Sequence, residues 1–375
     1  MLNVEEINRI EQLENYRLHW NALLPQTRNA TFFQSLDWLA VYWKHYGEDQ
    51  HLRVLVVFDD DAKPLGILPL VVRREATKVG NLRVLTYPLD GWSSFFGPIG
   101  PNPTATLLAG MKHIRRTPRD YDIMDIRWVD ISGCDHGRTQ TAMRQAGFDP
   151  ALQPWETTSV VDIDGDWDGY WNSRNTKWRA EIGRCERRMA EAGEVELVRY
   201  RPTGAINDDD DPRWDLYDAC VNLASRSWQG SSTDGTTLSH ACVCCYLRDT
   251  HLAAAKAGAL DVNLLLISGQ PVAFNYNYHY NGRVYGMRKG FDPNFSKLSP
   301  GSVLQKMILE DSFDREDTFY DMGPKFYEAK RHWATSRRAS HRLTHYPKVV
   351  SRAQLVRLKR WLSNRMTVGE LSTRT

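Results

Sequence analysis

Apolar residues at Ile7, Ile10, Leu13, Tyr16, Leu18, Leu23 and Leu24 recur among polar neighbours at close to helical spacing, which predicts a helix over residues 5 to 24. A second helix is expected where Trp38, Leu39, Tyr42 and Trp43 repeat at three and four residues behind Ser35, a good N-cap. The pattern then changes. Apolar runs at 52 to 58 and 65 to 72, parted by Asp59-Asp60-Asp61-Ala62-Lys63-Pro64, predict a β-hairpin. Strands at 83 to 86 and 121 to 128, with a helix over 104 to 116 between them, make this half mixed α/β.

From about Trp167 the pattern restarts with one charged helix over 170 to 192 and a short strand at 195 to 200. Helices over 215 to 228 and 239 to 257 lead into strands at 262 to 267, 272 to 280 and 283 to 288. The turns between these strands are Ser268-Gly269-Gln270-Pro271 and Asn281-Gly282, and Asn-Gly between apolar runs is a strong hairpin signal, so the three strands form a meander. The hairpins at 52 to 72 and 262 to 280 share a form: apolar strand, short polar turn, then a strand opening with Pro or Gly and a small residue. An internal repeat follows. The break between halves is expected at 150 to 165.

A chain of 375 residues is too long for one comfortable core, which agrees with two domains, at 1–155 and 156–348, and a basic tail at 349–375. With 42% hydrophobic and 25% charged residues the chain reads as folded rather than disordered or fibrous. No run of eighteen apolar residues occurs and Met1-Leu2-Asn3-Val4-Glu5-Glu6 does not read as a signal peptide, so a cytoplasmic location is expected. Cys134, Cys185, Cys220, Cys242, Cys244 and Cys245 form no CxxC pair, which points to reduced thiols. His240, Cys242, Cys244, Cys245 and His251 lack the paired spacing of a zinc site; buried cysteines on a helix are expected there, and no metal. A net charge of +2 argues against wholesale nucleic-acid binding. Asp208 to Asp211 reads as a solvated acidic loop.

After the meander come Lys289-Gly290-Phe291, then Leu298-Ser299-Pro300-Gly301-Ser302 before a helix, then Thr318-Phe319-Tyr320-Asp321-Met322-Gly323-Pro324. Together with Gly269 and Ala273 of the hairpin, and Lys330 and Trp333 of a Lys-x-x-Trp, this order resembles the GNAT-type acetyltransferase domain of CelD-like and FemAB-like double-GNAT proteins. The likeness extends to Ser173-Arg174-Asn175-Thr176-Lys177-Trp178-Arg179, and in the first half to Phe33-Gln34-Ser35-Leu36-Asp37-Trp38 and Gly66-Ile67-Leu68-Pro69-Leu70. It departs from the family at two positions: Lys325 stands where a Gly is usual and Ala329 where a Tyr is usual. The resemblance implies an α/β (α+β) fold of two GNAT-like domains, each a mostly antiparallel twisted sheet flanked by helices. It implies an acyl-CoA-dependent N-acyltransferase, with acetyl-CoA or another acyl-CoA as co-substrate, working on cell-surface polysaccharide or its precursors. The acceptor would be a small-molecule, sugar or peptide amine. A FemAB-like transferase using aminoacyl-tRNA on a peptidoglycan precursor, and a non-catalytic scaffold of an exopolysaccharide synthase, are the alternatives.

Transfer from a thioester to an amine needs an anion site for the carrier, a strand edge to align it and a base. For the carrier, Ser299 as N-cap, Pro300 at the first helical position and Gly301 with Ser302 leaving N–H groups exposed form a helix start suited to phosphate, with Arg288 or Lys289 in reach. Asp321 is the candidate base and Lys330 the candidate partner of the oxyanion. Tyr285 completes the catalytic set; it and His279 also read as partly buried aromatics of the meander. The basic run 171 to 188 reads as a solvated helix face or a tRNA or phosphate contact. Residues 349 to 368 form a basic amphipathic helix that either docks on the protein or contacts an anionic membrane.

Overall fold

The structure is a computed structural model that describes residues 2–89, 94–227 and 237–372, with side chains through residue 362. In chain order its elements are β1 (Asn3–Ile7), α1 (Arg17–Leu23), α2 (Leu36–Tyr46), β2 (His51–Phe58), β3 (Pro64–Thr77), β4 (Gly80–Thr86), α3 (Pro103–Arg116), β5 (Ile123–Val129), α4 (Arg138–Gln145) and β6 (Pro150–Asp162). Then follow α5 (Trp167–Asn172), α6 (Thr176–Ala192), β7 (Val195–Tyr200), α7 (Trp214–Arg226), α8 (Cys244–Lys256), β8 (Leu260–Ile267), β9 (Gln270–Tyr280), β10 (Arg283–Phe291), α9 (Pro300–Asp314), β11 (Phe319–Pro324), α10 (Tyr327–Lys330), β12 (Ser336–His345) and α11 (Ser351–Ser372). They form two compact units, one of Met1–Ala30, Tyr42–Glu156 and Ser340–Thr375, the other of Thr31–Val41 and Thr157–Ala339.

In the first unit β1, β2, β3 and β4 are antiparallel neighbours, β5 runs parallel to β4, and β12 pairs antiparallel with β5. The β12 contact is fastened by a buried charge. Asp125 on β5 accepts hydrogen bonds from Arg127, Arg342 and Thr344, so a carboxylate with no exposed surface keeps its charge compensated. The last helix, α11, lies on this sheet through Ala353 and Val356 against Leu82, Val84, Ile123 and Tyr346.

The second unit repeats the route. Strands β7, β8, β9 and β10 are antiparallel neighbours, β11 runs parallel to β10 after the crossover helix α9, and β6 pairs antiparallel with β11. Along the chain two helices, α1 and α2, lie between β1 and β2, and two, α7 and α8, lie between β7 and β8. Each unit is thus a mostly antiparallel sheet flanked by helices, and the fold is mixed α/β. One face of the second sheet, with Val161, Leu265, Ala273, Val284 and Tyr320, packs on Tyr170, Met189, Leu304 and Ile308 of α5, α6 and α9. The other face is aromatic: Tyr276 and Tyr278 meet His251, Tyr217, Phe32, Phe33 and Trp38 at ring separations of 5.0–6.3 Å. Burying each such ring stabilises the unit by roughly 1.5–3 kcal/mol, so this layer holds the sheet as firmly as the aliphatic side does.

Several local expectations change. Residues 5 to 24 are not one helix: β1 pairs with β2 from Asn3↔Phe58 to Ile7↔Val54, a 3-10 turn covers Ile10–Tyr16, and only Arg17–Leu23 is α-helical. The edge of β2 needed a partner, and sheet pairing overrode the helical period. The helix expected over 170 to 192 is interrupted, because the Asn175 side chain accepts the Trp178 N–H at 3.0 Å and starts α6 anew. The helix placed at 239 begins at Cys244, and the end at Trp228 of the helix before it lies outside the described residues. Cys242 and Cys245 are exposed and Cys244 is half-buried, contrary to the expected burial. The inward face of α8 is set instead by Tyr246, Leu247, Thr250 and His251.

Candidate functional site

In the second unit the parallel ladder between β10 and β11 has only three steps, Arg283↔Phe319, Val284↔Tyr320 and Tyr285↔Asp321. Immediately beyond it each strand also slips against its other neighbour. The β10–β9 register shifts between Gly286 and Arg288, and the β11–β6 register shifts between Asp321 and Pro324. Two bulges at one level bend both strands. Past this point β10 and β11 no longer hydrogen-bond to each other, which leaves two inner strand edges. The vertex is made of glycines. A Cβ on Gly286 would lie 2.8 Å from the Asp321 carbonyl oxygen, and one on Gly323, where φ is +78°, would lie 3.4 Å from the Gly286 carbonyl oxygen and 3.9 Å from the Lys330 Nζ. The first unit differs at the corresponding place: β4 and β5 share two ladder steps, and the Phe96 N–H then bonds the Trp128 carbonyl at 3.0 Å.

Lys330 reaches this vertex from α10. It is 4% exposed, and its ammonium donates to the carbonyls of Gly323 at 2.8 Å and Pro324 at 2.9 Å. Burial, reinforced by the charge of Lys289, pushes its pKa down to about 7, while Asp321 pulls in the opposite direction. Three donors with two carbonyl partners leave one N–H for a third acceptor. Asp321, also buried, accepts from the Thr158 hydroxyl and from the Gly323 N–H at 2.7 Å. Lys289 reaches solvent, and desolvation by the protein around it lowers its pKa too.

The other candidate residues separate into two groups. Tyr285 is buried and in register with Asp321; its hydroxyl accepts from Arg283 at 3.1 Å and its ring meets Phe33 and Phe319. Adjacent strand residues alternate, so the two cations take opposite faces of the sheet, and the bulge decides which: Arg288 stands opposite Tyr276 and Lys289 opposite Asn275. Arg288 lies by Tyr278, where burial brings its pKa down to about 9, and Lys289 lies with Lys330. Pro300 is the first residue of α9 and Gly301 sits against Phe291, at the end of β10. Ser299 does not cap with its side chain: its backbone is left-handed, at φ 50° and ψ 48°, and its carbonyl takes the Ser302 N–H at 2.9 Å. The exposed Ser302 donor expected from the sequence is therefore already used. His279 is half-buried and bonded to Asp317 at 3.0 Å, away from this group.

Sequence reasoning missed Thr158 and Gly286. Neither sits in a recognisable motif, and both matter only because β6 and β11 become neighbours of the ladder. It noted Lys325 as a departure from Gly, and the backbone there is left-handed, with φ +62° at Lys325 and +52° at Phe326. Such strain costs roughly 1–2 kcal/mol per residue and sits in the link that carries Lys330. Among the described residues, no cluster of His, Cys, Asp and Glu is placed to hold a metal ion.

Residues 176–333 match the family model of the acetyltransferase (GNAT) domain. The chain carries a GNAT-type acetyltransferase domain. The match begins at the first residue of α6 and includes the open vertex, Asp321 and Lys330. An acyltransferase is the enzyme class that this domain match supports. No curated protein matches the chain by sequence. Among solved structures FemX is similar, with 12% identity and a TM-score of 0.60 over 91% of this chain and 96% of FemX. So is L-PGS from Bacillus licheniformis, with 10% identity and a TM-score of 0.53 over 96% of this chain and 99% of that one. The C-terminal domain of a putative lysylphosphatidylglycerol synthetase from Agrobacterium fabrum has 10% identity and a TM-score of 0.52, covering 92% and 95%. At these identities the likeness is one of fold.

Proposed function

We propose that the GNAT-type domain transfers an acyl group from acyl-CoA to an amine at the open vertex between β10 and β11. The observation that carries this reading is the three-step ladder ending beside a buried lysine and a buried carboxylate. An extended, amide-bearing carrier arm adds to a strand edge through main-chain hydrogen bonds, and the freed edges offer them. The acceptor nitrogen attacks the thioester carbon, the carbon–sulfur bond breaks, and the coenzyme leaves as its thiolate. The remaining Lys330 N–H stabilises the oxyanion. Asp321 takes the proton released by the amine, and Tyr285 packs behind it. Lys289, with the start of α9 at Gly301, faces the carrier's phosphates. The acceptor is read as a sugar or peptide amine of a cell-surface precursor, and a cytoplasmic location agrees with the free cysteines.

A second reading, transfer of an aminoacyl group from tRNA, is favoured by the shared fold with FemX and with the domain of a putative lysylphosphatidylglycerol synthetase. Thermal-shift titration separates the two. Acetyl-CoA or a longer acyl-CoA at a hundredfold excess over its Kd should stabilise the protein by about 2.7 kcal/mol. Stabilisation by aminoacyl-tRNA alone supports the second reading. A melting temperature unmoved by any acyl-CoA, CoA or aminoacyl-tRNA leaves the vertex a structural feature of a scaffold protein.

A further inference from the structure

Helix α11 has two apolar faces. Ala353, Val356 and the half-buried Arg360 point to the sheet, where Arg360 donates to the Tyr346 hydroxyl at 2.8 Å. At roughly 3.6 residues per turn, Leu355, Leu358 and Leu362 fall on the opposite side. They are 52%, 53% and 46% exposed, and Trp361 on their flank is 47% exposed. Val349, in the approach to the helix, is 81% exposed. A docked helix ordinarily turns polar residues outward, so an outward row of large apolar side chains asks for a second partner.

The charges around that row identify its chemistry. From Tyr346 to Gly369 the sequence holds six cations, Lys348, Arg352, Arg357, Lys359, Arg360 and Arg365, and no Asp or Glu. Arg352 and Lys359 flank the exposed apolar row on one side and Arg357 on the other, and all three are exposed. Lys78 of the strand connection lies near Lys359, adding a like charge to the same edge. A second copy of this chain would set cation against cation with no carboxylate between them. An anionic lipid surface answers both features: headgroup phosphates neutralise the flanks while the leucines and Trp361 enter the headgroup–acyl boundary.

We propose that α11 is a membrane-surface element that seats the first unit on anionic lipid, its inner face held by protein and its outer face by the bilayer. No helix of the described residues is long and apolar enough to cross a membrane, so the contact is one of lying on the surface. The proposal does not depend on the acyl-transfer reading.

Flotation of the full chain with lipid vesicles tests it. The protein should rise with vesicles of equal parts phosphatidylglycerol and phosphatidylcholine, rise at least about tenfold less with phosphatidylcholine alone, and detach as salt is raised. Leu358→Ser with Trp361→Ser, and separately Arg352→Gln with Arg357→Gln and Lys359→Gln, should each weaken binding at least about tenfold. Their melting temperatures should stay unchanged, because the altered side chains are exposed. Equal binding to both lipids, or none, overturns the proposal. So does a lipid-free dimer, seen by light scattering, that the Leu358→Ser, Trp361→Ser variant dissolves.

Discussion

Lys330 carries the sharpest residue-level expectations. Its ammonium is the form that can donate to an oxyanion, and its pKa of about 7 means that this form is lost as pH rises through neutrality. Under the proposed chemistry kcat/KM therefore declines above about pH 7, and Lys330→Arg moves that decline to higher pH, which a pH–rate profile reads directly. Lys330→Ala should lower kcat by roughly 10²–10³. The stability effect has its own sign. A lysine pKa lowered from 10.5 to about 7 means the charged form is disfavoured in the folded state, so the fold gains stability as pH rises from about 7 towards 10.5. Urea unfolding of the protein and of Lys330→Met should show a steeper slope in the former, since Lys289 and Arg288, also lowered, remain in both. Asp321→Asn keeps the shape and loses the proton acceptor, so it should reduce kcat far more than it changes KM; comparable losses in both would assign Asp321 to structure.

At the scale of elements, the site is a defect shared by two strands. Bulges in β10 and β11 fall at one level, and Gly286 allows the strands to approach within the space a Cβ would fill. Gly286→Ala must push against the backbone oxygen of Asp321 and not against a flexible side chain, so relaxation is costly. A loss of about 1–3 kcal/mol is expected, measured as a lower melting temperature, together with weaker acyl-CoA stabilisation in thermal shift. A variant as stable as the parent and binding acyl-CoA equally well would remove Gly286 from the argument. The first unit makes the contrast: its strands diverge at the same step of the same route, and its own Phe96 segment bonds the edge at Trp128.

For the molecule as a whole, acid stability should be governed by the buried ion network of the second unit. Asp261 lies between Arg199 and Arg201, and Asp317 between Arg201 and His279. Burial alone would raise the Asp317 pKa, but hydrogen bonds from His279 and Arg201 and their charges overcome it and bring the value down to about 2. A depressed carboxylate pKa contributes stability that is complete above the ordinary value of 3.8 and disappears as pH falls towards about 2. His279→Leu removes one of these donors, so its acid unfolding midpoint, followed by circular dichroism, should move to higher pH. An unchanged midpoint would assign acid stability elsewhere, for instance to Glu6 and Glu75, which are also held near 2.

The sequence alone determined the elements whose pattern is local. The meander over β8, β9 and β10, its Asn281-Gly282 turn, the helix α9 and the likeness of one hairpin in each half all follow from short-range periodicity and turn chemistry. It also singled out Asp321 and Lys330, through the order of motifs around them. What it could not decide is what depends on pairing between distant segments. β1 replaced a helical period because the edge of β2 was open to it, and Ser299 took a left-handed backbone where a side-chain cap was expected. Arg288 took the face of Tyr276 and Lys289 that of Asn275 because one extra residue entered β10. Thr158 became a partner of Asp321 across a separation of 163 residues. Periodicity reports which face of an element is apolar; which strand lies beside it, and at what register, is settled by the free energy of closing the whole sheet.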